Sequence, residues 1–145
     1  MPNEKNKLSN AMRALWMVLI TSLAVPFFAG FIVVALRLLG PATDFLLPPH
    51  GAEAIGEVGV DAFVWSALPA TVAALGLTPF VLQHGTYGWL HAAVAGVIAF
   101  MAGAVIFPFP AAGTLPFLAF LAGLVGIGMR ALLIAGGILR EAPEN

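Results

Sequence analysis

The chain has 145 residues, 61% of them hydrophobic and only 9% charged, and its mean hydropathy is +1.00. Soluble domains carry about 25% charged residues, so this chain is too apolar to cover itself with a wetted surface, and the lipid bilayer is the expected solvent for its outer face. Six Lys and Arg against seven Asp and Glu, net −1, leave no nucleic-acid footprint, and the absence of cysteine excludes disulfides, thiolate catalysis and iron–sulfur ligation.

Lys5, Lys7 and Arg13 precede the first apolar run, and "SLA" at 22–24 resembles a signal-peptide cleavage site. The run continues to Leu39, well beyond the apolar core of a signal peptide, and so reads as a membrane span over 14–39. Helix rises about 1.5 Å per residue, so this run is long enough to cross a hydrocarbon core of about 30 Å. Pro26 stands in its middle and predicts a kink or local unwinding.

Next comes "GPATDFLLPPHGAEAIGEVGVD", a polar loop over 40–61 that holds Asp44, Glu53, Glu57 and Asp61. No further formal charge follows until Arg130, and turn residues divide that stretch. "QHGTYG" and "PFPAAGTLP" break it into spans over 62–82, 89–107 and 115–139, before the polar tail "REAPEN". The expected fold is all-α: a single integral membrane domain, 1–145, built as a four-helix bundle.

Orientation follows from charge. Lys5, Lys7 and Arg13 flank the first span, Arg140 follows the last, and the long loop is acidic. The positive-inside rule therefore places both termini in the cytoplasm and the acidic loop outside. Trp16, Tyr87 and Trp89 then belong to an inner aromatic belt and Trp65 to an outer one. Arg37 is the exception and is expected to snorkel to the outer headgroups. The Ala-rich, Cys-free, Lys-poor composition suits a bacterial inner membrane.

The third span carries Ala92, Gly96, Ala99 and Gly103 on one face, and the fourth carries Ala119, Gly123, Gly126 and Arg130 at the same spacing. Small residues let membrane helices approach closely, so both faces are expected to be packing seams. Arg130 faces such a seam, and the chain has no intramembrane acid on that side to pair with it. It is left to snorkel, to bind backbone carbonyls, to hold a lipid phosphate, or to meet a carboxylate of another subunit.

"LQHGTYGWLHAA", 82–93, sets His84 and His91 seven positions apart. Neighbours on one helix cannot approach one haem iron from opposite faces, and no Cys or acid completes a metal shell there. A turn with headgroup-level anchors is the expectation, with Gly85 and Gly88 for tightness and Thr86 for capping. His91 is the better candidate of the two for a contact with lipid or a partner. Ser22, Ser66, Thr21, Thr71 and Thr78 lack a base and an orienting acid, so they are expected to bond helix carbonyls near Pro26, Pro69 and Pro79 rather than to catalyse.

Nothing in the sequence calls for a metal or cofactor, and no catalytic constellation marks an enzyme. The leading expectation is an accessory subunit of a larger membrane assembly, with lipid and other integral subunits as partners. The alternatives are a homo-oligomeric small transporter or channel for anions, and a lipid- or quinone-binding protein with an apolar slot at the Pro26-Phe27-Phe28 bend.

Overall fold

The computed structural model describes residues 8–43, 54–107 and 115–141. Asp44, His50, Glu53, Lys5, Lys7 and the Pro108–Pro110 part of the third turn lie outside the described residues. Among those described, the elements are α1 (Asn10–Leu38), a short 3-10 turn (Gly40–Thr43), α2 (Ile55–His84), α3 (Trp89–Ile106) and α4 (Leu115–Ala135). All four α-helices are long and apolar enough to cross a membrane.

Their surfaces are inverted relative to a soluble bundle. Leu15, Leu19, Leu23, Phe27 and Phe31 form an exposed ridge along α1, while Thr21, Pro26 and Gly30 are buried. On α3 Leu90, Val94, Ile98 and Val105 are among the exposed residues, and Ala92, Ala99 and Gly103 are buried. Large apolar side chains outside and small ones inside are what a bilayer solvent selects, since lipid tails solvate Leu as well as another helix does.

Two boundaries differ from expectation. Helix α2 begins at Ile55 rather than 62, because Glu57 turns back to accept from the Ala54 amide at 3.4 Å and holds the first turn. Glu57 and Asp61 therefore stand on a helix and not in a loop. Helix α4 ends at Ala135, four residues before 139 was expected, because Gly137 adopts φ +73° and makes a Schellman stop. The Ile138 amide donates to Leu133 O and the Gly137 amide to Ile134 O, both at 2.9 Å. Pro26, Pro69 and Pro79 do not break their helices; α1 and α2 each run on as one element.

The helices pack in chain order: α1 on α2, α2 on α3, α3 on α4. Backbones approach closely at three places. A Cβ on Gly30 would stand 2.8 Å from Gly59 O, one on Gly103 would stand 2.7 Å from Pro69 Cγ, and one on Gly96 would stand 2.5 Å from Ala122 O. Helices α1 and α4 close the ring only sparsely, and the hydrogen bonds that join them sit at one end.

Candidate functional site

That end is a polar clasp. Ser9 caps α1 by accepting from the Met12 amide, and Arg13, one position on, turns inward and is buried. Its Nε donates to Leu8 O at 3.1 Å, and one terminal nitrogen donates to Gly137 O at 3.3 Å and Ile138 O at 2.6 Å. The Gly137 and Ile138 carbonyls lie just past the Schellman stop, beside the negative end of the α4 dipole. Asn10 donates to Leu82 O at 3.0 Å, and the Arg140 amide donates to Gly85 O at 3.1 Å. The start of α1, the α2–α3 turn and the end of α4 are thus tied together.

The histidine stretch is part of this clasp. His84 is the last residue of α2, and Gly85, at φ +73°, ends it. A Cβ there would lie 2.9 Å from Asn10 Oδ1, so glycine is needed for both conformation and space. His91 is exposed, with its ring packed on Phe80 at a centroid distance of 4.7 Å. Thr86 does not cap α3: the N-cap is Gly88, and the Thr86 hydroxyl has no partner among the described residues.

Tyr87 departs from the aromatic-belt expectation. It is 5% exposed and packs with Met17, Val81, Met129 and Leu133 in the core of the clasp end. The glycines on either side let the turn fold it inward. Burial pushes its phenol up to about 12, with the nearby Arg130 charge pulling the other way. Arg130 donates through Nε to Tyr87 O at 2.6 Å, a backbone-carbonyl contact of one of the kinds open to it.

The small-residue faces are divided among different neighbours. A Cβ on Gly126 would stand 2.5 Å from Ala92 O, and one on Gly123 would meet Val97 Cγ2 at 3.1 Å and Ala93 O at 3.4 Å. Together with Gly96 these form an α3–α4 seam within the chain. Gly103 instead receives Pro69 of α2, and Ala119 is buried on α4. Ala99 is buried too, but it lines a cavity.

This cavity has a volume of about 540 Å³ and is bounded by all four helices. Arg37 and Asp61 stand at one end, and Leu77, Tyr87, Ala92 and Met129 at the other, where they join the buried cluster that closes the clasp. Val25, Ala29, Ala73, Ala95 and Val125 make an apolar wall between them, and Trp65 meets Phe100 edge-on at 5.3 Å along it. At the Pro26-Phe27-Phe28 stretch, where a slot was expected, Phe27 and Phe28 are exposed, and the α1 residues that line the cavity include Thr21, Val25 and Ala29.

Sequence reasoning missed the cavity and the role of Arg13. Arg13 looked like one more flanking cation, and its only signal was the Gly136-Gly137 pair at the far end of the chain, which announces carbonyls in need of a donor. Among the described residues, no three or more His, Asp or Glu side chains gather as a metal site would require.

Fold and site together describe a helical protein with a bilayer-type exterior and an apolar chamber inside. The chain matches no protein-family model, and no curated protein or solved structure is significantly similar to it.

Proposed function

We propose that the protein is a multi-pass membrane protein that holds a small lipid-soluble molecule in the chamber between its helices. The chamber itself carries this reading. At about 540 Å³ it falls in the range of about 300–1,000 Å³ typical of small-molecule sites, and its walls are apolar with a few polar groups. The sparse α1–α4 contact leaves a side from which a molecule dissolved in the bilayer can enter.

The orientation we favour puts the clasp end, with Arg13, Arg130 and Arg140, on the cytoplasmic side of a bacterial inner membrane. Glu57, Asp61 and Arg37 then stand at the outer side. We favour the ligand-holding reading over an accessory subunit because the α3–α4 seam packs within the chain and Arg130 Nε bonds the Tyr87 carbonyl.

The test is solvent extraction of protein purified from its own membranes through repeated detergent exchange. Wild type is expected to retain one lipid-soluble molecule at near-stoichiometric amount. Ala73→Phe, which fills the chamber from α2, is expected to lose it. A wild-type protein that retains nothing contradicts the proposal.

A further inference from the structure

Arg130 and Arg140 reach the same turn from different places. Arg130 is half-buried inside α4 and donates through Nε to Tyr87 O at 2.6 Å. Arg140 follows α4, is exposed, and donates through its amide to Gly85 O at 3.1 Å. Its side chain lies over Gly85, where a Cβ would stand 3.1 Å from Arg140 Cδ and 3.2 Å from Nε. Two guanidinium groups are thus laid against one turn between α2 and α3.

Neither charge is cancelled within the described residues. The partner of Arg130 is a neutral carbonyl, and no carboxylate among those residues forms an ion pair with it or with Arg140. Glu57 and Asp61 stand in the first two turns of α2, and Asp61 is about 36 Å along that helix from Gly85, at about 1.5 Å per residue. Glu141 is exposed beyond Arg140. Buried Arg13 adds a third positive charge at this end, with three carbonyls already accepting from it.

The turn joins two membrane-length helices, so it stands at headgroup level. An arginine at that depth is stabilised by reaching an opposite charge or water. Guanidinium forks match the oxygens of a phosphate, and the phosphate present at this level in a bilayer is that of a phospholipid. Two cations without an adjacent acid also favour a headgroup of net negative charge. A zwitterionic headgroup brings a cation of its own to the same place.

We propose that Arg130 and Arg140 together bind the phosphate of an anionic phospholipid at the α2–α3 turn. This rests on the reading of the chain as membrane-spanning and is independent of what the chamber holds.

The test titrates the full chain in detergent with two lipids of equal acyl chains, dioleoylphosphatidylglycerol and dioleoylphosphatidylcholine. Lipid-bound fractions are read by native mass spectrometry. Wild type is expected to bind the glycerol lipid about tenfold more tightly than the choline lipid, the scale of two arginines facing one anionic headgroup. Arg140→Gln should remove most of that preference and Arg140→Lys should keep most of it, with choline-lipid binding unchanged in both. The clasp bond of Arg140 is made by its backbone amide, so the Gln variant retains it. Arg130→Gln carries the same expectation as Arg140→Gln; should it not fold, the Arg140 variants decide alone. Ala73→Phe, in the chamber, should leave the preference intact. Equal affinity of wild type for the two lipids overturns the site, as does a preference that Arg140→Gln leaves untouched. Inorganic phosphate that displaces the glycerol lipid would assign the turn to a free anion and overturn the lipid. If neither lipid binds wild type and the protein stays monodisperse once detergent is removed, the membrane reading itself fails.

Discussion

Arg13 and Ile138 are 125 positions apart in the chain, yet the Arg13 guanidinium donates to the Ile138 carbonyl at 2.6 Å. One side chain at the start of α1 thereby completes the end of α4. Since α1 and α4 are joined little elsewhere, this contact ties the two ends of the helix row together.

Arg13→Gln is expected to destabilise the protein by about 1.5–3 kcal/mol, the usual worth of hydrogen bonds made by a charged group. Arg13→Lys should recover little, because an ammonium lacks the fork that reaches three carbonyls. Thermal unfolding in a fixed detergent measures both. A Gln variant as stable as wild type would remove Arg13 from this role.

The α3–α4 seam gives a contrast between glycines. Gly126→Ala puts a methyl 2.5 Å from Ala92 O, a backbone atom that moves only if a helix does, and about 1–3 kcal/mol of stability should be lost. Gly128 is two positions on and has nothing within 4 Å of its Cβ site. Gly128→Ala should be neutral or gain up to about 1 kcal/mol from helix propensity. Equal effects at the two positions would mean that the seam is not where the geometry puts it.

Tyr87 is the only tyrosine in the chain, so its ionisation can be read without interference. Tyrosinate absorbance should titrate near pH 12 in the folded protein and near 10 once it is unfolded. A proton held more tightly in the folded state means stability that is full below pH 10 and falls as pH rises from 10 toward 12. Tyr87→Phe should lose that part of the alkaline decline. A folded-state midpoint near 10 would show the phenol in water.

Thr21 bears on stability in the opposite sense from most buried residues. Its hydroxyl has no hydrogen-bond partner among the described residues, so Thr21→Val should stabilise the protein by about 1 kcal/mol. Unfolding curves taken after exhaustive delipidation test this. A loss of stability would mean that the hydroxyl has a structural partner.

Four long apolar stretches separated by Gly and Pro were enough to locate the four long helices among the described residues, because the bilayer imposes the length and turn residues mark the ends. What the sequence hid was set by contacts between distant positions. Arg13 and Gly137 look like a flanking cation and a terminator until the fold joins them. Tyr87 looks like a belt residue because an aromatic beside a turn reads the same whether the turn folds it outward or inward. The chamber has no periodic signature at all: its wall draws single residues from each helix, and the Ala and Gly that line it also make the seams. Thr21 was grouped with Thr71 and Thr78 because residue type alone does not tell which hydroxyl bonds its own helix.

The chamber's occupancy is the central claim, and native mass spectrometry after gentle extraction from the protein's own membranes tests it most directly. The account predicts a 15.0 kDa chain, alone or as a homo-oligomer, carrying one small lipid-soluble adduct per chain that Ala73→Phe abolishes. A bare chain, or an assembly of other subunits in which this chain carries no adduct, would contradict it.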